Sequence, residues 1–101
     1  MQNLQKLQLD NNIITRIAGL KTLVNLTWLD LSFNLIDEIE GLDSLSKLQD
    51  LTLYKNKIVT VGGLDKLCNL NVLSIGSNKI ANLEDTVYYL KNLNTLLKKV
   101  C

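Results

Sequence analysis

No histidine occurs among the 101 residues, which removes the commonest general base and metal ligand. The carboxylates that could stand in, Asp37, Glu38 and Glu40 with Glu84 and Asp85, match no calcium-loop spacing and read as solvated turn residues. Ser32, Ser44, Ser46, Ser74 and Ser77 have no partner base. Gly19, Gly41 and Gly63 stand at a regular interval, and the five glycines form no phosphate-cradling cluster. These absences exclude an enzyme: no catalytic residue, cofactor or metal is expected. Proline is absent too, and the short connections leave no room for a linker, so residues 1–101 read as a single domain. No apolar run approaches the roughly 18–20 residues of a membrane span, and the start, Met1 to Lys6, lacks the apolar core of a signal peptide. A formal net charge of +1 with both signs interspersed gives no electrostatic case for nucleic acid or an anionic membrane. The two cysteines, Cys68 and Cys101, are too few for the disulfide framework of small secreted domains. Unpaired thiols in a reducing, intracellular compartment are expected.

What is present is a repeat. Hydrophobic residues make up 47% of the chain and charged ones 21%, a globular balance. The stretch Leu26-Thr27-Trp28-Leu29-Asp30-Leu31-Ser32-Phe33-Asn34-Leu35-Ile36 has the form L-x-x-L-x-L-x-x-N-x-I, and the form recurs every 22 residues. Its copies begin at Leu4, Leu48 and Leu70, and the repeats fall at 4–25, 26–47, 48–69 and 70–92, with a partial fifth at 93–101. This pattern resembles the leucine-rich-repeat signature. The expected fold is an α/β leucine-rich-repeat solenoid, with a curved parallel sheet on the concave face and short 3₁₀ or α helices on the convex face.

The local chemistry supports that architecture. Leu7-Gln8-Leu9 and its three successors alternate with period two, as strands with one buried face do. Parallel neighbours need a crossover of about a dozen residues, and the rest of each repeat supplies it. Asn12, Asn34, Asn56 and Asn78 stand where the chain must leave the strand and its backbone groups lose their partners. A carboxamide both donates and accepts, so a column of them forms a structural asparagine ladder along the stack. Ile14 and Ile17, Ile36 and Ile39, Ile58 and Val61, and Ile80 and Leu83 are expected to point into the core. Gly19, Gly41 and Gly63 suit a backbone conformation that other residues reach only with strain. The following leucines have period three, which suits one short helical turn per repeat. In repeat four, Asp85-Thr86 replaces Gly-Leu and one residue is inserted. Thr86 is the expected N-cap of a slightly longer helix over 87–93. Met1 stands directly before the first strand, and no cap is recognisable at either end. Solenoids with raw ends expose core, and an exposed edge strand leaves self-association through the ends open.

The outward-facing strand positions form columns: Lys6, Trp28, Asp50, Val72; Gln8, Asp30, Thr52, Ser74; Asp10, Ser32, Tyr54, Gly76; and Asn11, Phe33, Lys55, Ser77. Aromatic residues beside charges on a rigid sheet have the composition of interface hot spots. A protein-binding face centred on Trp28, Asp30, Phe33 and Tyr54, flanked by Lys6 and Asp50, is therefore expected.

The 22-residue unit resembles the leucine-rich-repeat subclass typified by the nuclear regulatory subunit of protein phosphatase 1, which also includes axonemal dynein light chain 1. Leu7 to Ile14, Trp28 to Asn34, Glu40 to Asp43 and Val72 to Asn78 look most like repeats of dynein regulatory complex subunits of the ciliary nexin link. That resemblance implies a non-catalytic scaffold in the cytoplasm and cytoskeleton, at the axoneme of cilia or flagella. It implies other regulatory-complex subunits and dynein as protein partners. The alternative it leaves is a regulatory module of protein phosphatase 1. The upstream repeat, cap and following coiled coil of the family have no counterpart here, which is the pattern expected of a fragment or short form.

Overall fold

The computed structural model describes residues 3–101; Met1, expected directly before the first strand, lies outside them. Four short strands, β1 (Lys6–Gln8), β2 (Trp28–Asp30), β3 (Asp50–Thr52) and β4 (Val72–Ser74), form one parallel sheet in sequence order. The register is one whole repeat: Leu7 pairs with Leu29, Leu29 with Leu51, and Leu51 with Leu73. A shift by one residue would turn every leucine outward, so the period of the sequence fixes the pairing. The ladder continues past the strands, with Leu9, Leu31 and Leu53 donating N–H to the carbonyls of Asp30, Thr52 and Ser74 at 2.9, 2.9 and 2.7 Å.

Leucines of the middle repeats, Leu29, Leu31, Leu51 and Leu53, are fully buried, whereas Leu7 and Leu73 on the edge strands are half-buried. The period-three leucines form isolated turns rather than the short helices expected. Leu23 N–H bonds Leu20 O at 3.0 Å and Leu26 N–H bonds Leu23 O at 3.1 Å, and the pair recurs at Leu42–Leu48 and Leu64–Leu70. Two such bonds per crossover do not recover the cost of nucleating a helix, yet each turn delivers a leucine to the core. The glycines set the entry to these turns. Gly41 has φ +73°, and a Cβ there would stand 2.7 Å from the Ile17 carbonyl oxygen; one at Gly63, φ +71°, would collide with the Ile39 carbonyl.

The asparagine side chains bridge successive turns. Asn34 donates Nδ2–H to the carbonyls of Leu9, Leu31 and Ser32 at 3.0, 3.0 and 3.1 Å, and its Oδ1 accepts from Ile14 N–H at 3.1 Å. Asn78 repeats this toward Leu53, Ile75 and Gly76, and accepts from Ile58 N–H. Asn12, on the first turn, donates to Leu9 and Asp10 and is exposed.

The fourth repeat departs from the expectation in five ways, all from one cause. Helix α1 runs from Leu83 to Val100 as a single 18-residue element. Its N-cap is Asn82, whose Oδ1 accepts from Asp85 N–H at 3.0 Å, and not Thr86, which lies buried inside the first turns and donates to Asn82 O at 3.2 Å. Leu83 therefore starts a helix at 72% exposure instead of entering the core. Residues 93–101 do not open a fifth repeat, because their leucines and lysines favour continuing the helix and no glycine interrupts it. Nor is the end bare: Leu93 is buried, with Tyr89, Leu90 and Leu97 packed on the core, so α1 covers that flank. Glu84 and Asp85 in its first turn and Lys98 and Lys99 in its last complement the helix dipole.

Tyr89 fastens α1 to the third crossover. Its hydroxyl donates to the Asp65 carboxylate and accepts from Leu64 N–H at 3.1 Å. Burial and then the hydrogen bond to Asp65 push its pKa up to about 12, so the phenol stays neutral. Because α1 continues instead of beginning another repeat, the chain end returns beside that same crossover. Cys101 and Cys68, 33 residues apart, form a disulfide there. The expectation of unpaired thiols is corrected, and the compartment argument built on them loses its premise.

Candidate functional site

The register sets Lys6, Trp28, Asp50 and Val72 side by side across the open face of the sheet, and Gln8, Asp30, Thr52 and Ser74 beside them. Trp28 is half-buried between exposed Lys6 and half-buried Asp50, and with Lys6 and Gln8 it lines a depression of about 440 Å³. Among the described residues the ion pair found is Arg16–Glu40, so Lys6 and Asp50 are not engaged with each other. Asp30 is partly committed within the chain. Its Oδ1 accepts from Ser32 N–H at 2.9 Å and from the Ser32 hydroxyl at 2.6 Å, fixing the path out of β2.

The aromatic residues do not form one cluster. Trp28 opens β2, whereas Phe33 stands in the turn that follows it. Phe33 instead meets Tyr54, edge to face, with ring centroids 5.7 Å apart and planes at 62°. Tyr54 lies over Gly76, where an added Cβ would come within 3.2 and 3.3 Å of its ring. Glycine at that column position is thus the seat of the tyrosine, a role its sequence context does not announce.

Phe33 also occupies an unusual backbone position. The residue before each ladder asparagine has left-handed φ: Asn11 +57°, Phe33 +55°, Lys55 +57° and Ser77 +53°. The turn demands it, because Asn11, Phe33 and Lys55 each extend the ladder by donating N–H to Ser32, Tyr54 and Gly76. Left-handed φ costs a bulky L-residue roughly 1–2 kcal/mol, and at 45% exposure the ring recovers little of it by burial. Phe33→Asn should relieve that backbone cost and lose a ring contact worth about 0.5–1.5 kcal/mol. The expected net change in stability is below about 1 kcal/mol, read by thermal unfolding. A larger loss would make the ring a packing element.

The residues following the ladder asparagines form a further column that the sequence reading passed over: Ile13, Leu35, Lys57 and Lys79. Their fixed offset from the asparagines was the available signal. Ile13 is 83% and Leu35 39% exposed, and both lysines are exposed.

Comparison with known proteins agrees with this architecture. The family model described as Leucine Rich repeats (2 copies) matches residues 2–44. The fold is similar to an internalin (inlF) from Listeria monocytogenes str. 4b F2365, with a TM-score of 0.71 and 29% identity over 83% of this chain and 25% of that one. It is also similar to the functional domain of InlJ from Listeria monocytogenes, which includes a cysteine ladder, with a TM-score of 0.50 and 24% identity over 81% of this chain and 22% of that one. The chain thus spans a quarter or less of the length of these structures. No curated protein matches it in sequence.

Proposed function

We propose that this chain, a leucine-rich-repeat solenoid, is a non-catalytic scaffold that holds a protein partner on the open face of its sheet. The observation that carries the reading is Phe33: a ring held half-exposed on a left-handed backbone and braced by Tyr54. The partner would rest on two footholds, Trp28 between Lys6 and Asp50, and the Phe33–Tyr54 pair, with Asp30 between them. Exposed aromatics of this kind carry most of the energy in protein interfaces. The test is capture of a partner on the immobilised chain, its identification, and titration of the purified partner. Trp28→Ala and Tyr54→Ala are each expected to weaken binding by at least about 1 kcal/mol, or fivefold. Val24→Ala, at an exposed position of a convex turn, should leave it unchanged. Binding unaffected by both aromatic changes would remove the open face as the site.

The narrower assignment, to an axonemal dynein regulatory complex, has as its support the resemblance of Leu7 to Ile14, Trp28 to Asn34, Glu40 to Asp43 and Val72 to Asn78. The phosphatase-regulator alternative draws on the shared 22-residue unit. Co-fractionation with axonemes tests the first, and phosphatase activity in the captured material the second. The Cys68–Cys101 bridge weighs toward an oxidising compartment rather than the cytoplasm, where thiols are kept reduced. Cell fractionation with thiol labelling decides between the two locations.

A further inference from the structure

Next to the Phe33–Tyr54 pair the turn edge changes character along the stack. Leu35, Lys57 and Lys79 occupy the same place on successive turns, donating N–H to the carbonyls of Ile14, Ile36 and Ile58 at 2.8, 2.8 and 2.9 Å. With Lys55 they line a groove of about 410 Å³ that no carboxylate borders. Among the described residues none of the three lysines has an ion pair. Like charges on neighbouring turns oppose each other, and the chain does not lack acids that could have relieved them: it carries 10 against 11 basic residues. Asp37 and Glu38, just beyond Leu35, line a separate groove between repeats two and three, and Asp50 and Glu84, each five residues from a groove lysine, are not in the lining of this one. The positive edge is therefore local, and it is continuous at one end with exposed Leu35 and Phe33.

We infer that this edge receives an acidic peptide segment of the partner, with its carboxylates on Lys55, Lys57 and Lys79 and one apolar side chain on Leu35 and Phe33. An anion without an apolar part would leave Leu35 and Phe33 uncovered, and an apolar segment alone would leave three cations unpaired. From Leu35 to Lys79 is two repeat steps, about 10 Å, which some three residues of extended peptide span. The inference rests on the reading of Phe33 and Tyr54 as partner contacts and adds the chemistry of what meets them.

Fluorescence anisotropy with three labelled peptides tests it: an acidic peptide carrying one leucine, its counterpart with lysine for glutamate, and the acidic peptide with serine for leucine. The acidic leucine peptide should bind at least tenfold tighter than either control and weaken as salt rises. Lys57→Glu combined with Lys79→Glu, both at exposed positions, should reverse the preference between acidic and basic peptides while leaving the melting temperature unchanged. Equal binding of the basic peptide, equal binding of the serine peptide, no binding of any, or indifference to the double change would each overturn the inference. The scaffold reading stands or falls separately, on the response of the captured partner to Trp28→Ala and Tyr54→Ala.

Discussion

Cys68→Ser is expected to lower the stability of the folded chain by about 3–4 kcal/mol, the chain-entropy value for a bridge that closes a loop of 33 residues. In a domain this small such a loss lowers the melting temperature by on the order of 15 °C. Reducing agent should do the same to the unsubstituted chain and nothing to the variant, which separates the effect of the bridge from that of the lost side chain. The bridge does not act alone. Leu93 is buried and Tyr89 bonds both Leu64 and Asp65, so α1 retains anchors at its middle when its end is released. The loss should therefore appear first as faster proteolysis after Lys98 and Lys99, in the turn next to Cys101, and only then as earlier global unfolding. Coincident melting curves with and without reductant would show that those anchors suffice and that the bridge is incidental to the fold.

The repeating part of this fold was legible because each requirement of a solenoid leaves a mark at a fixed interval. Leucines at 7, 29, 51 and 73 declare the sheet and its register, and asparagines at 12, 34, 56 and 78 declare the turns. The C-terminal part was not, because its marks serve two structures equally. Leu90, Leu93, Leu96 and Leu97 have spacings of three and four, which fit a helix face as well as the opening of another repeat. Lys98 in a leucine slot was the signal against the repeat. Likewise Asn82 and Thr86 are both residue types that cap helices, and only the folded chain separates them: Asn82 Oδ1 accepts from Asp85 N–H, while Thr86 is buried inside the first turns. The disulfide followed from the helix and could not be seen without it.

The site was legible in a different proportion. Alternation told which side chains leave the core, so the columns were readable. It did not tell how far each is exposed or which of them touch. Half-burial of Trp28, the pairing of Phe33 with Tyr54 and the seating of Tyr54 on Gly76 all depend on the turn geometry after each strand. That geometry also throws the lysines beside Asn56 and Asn78 onto one edge. A repeat holds its core positions constant and leaves the residues between them free. The informative residues of this chain are therefore those the repeat does not specify.

Asn56→Leu is expected to lower stability by about 3 kcal/mol or more, and the equivalent change at Asn12 by less than about 1 kcal/mol. At Asn56 the carboxamide donates to the carbonyls of Leu31, Leu53 and Tyr54 at 2.9, 3.2 and 3.4 Å and accepts from Ile36 N–H at 3.0 Å. Asn56 is buried and Ile36 is wholly so, so no water can replace what leucine removes. Each buried group left without a partner costs about 1–3 kcal/mol. Among the described residues Asn12 bonds the carbonyls of Leu9 and Asp10, from an exposed position on the first turn, where water can take over. Both residues hold the same offset in their repeats, so any intrinsic preference of asparagine for the turn is common to the two. Urea unfolding of both variants with unchanged denaturant dependence would measure the difference. Equal losses at the two positions would mean that asparagine serves here as a turn former. A loss confined to Asn56 would mean that it serves as the internal hydrogen-bond partner of a buried backbone.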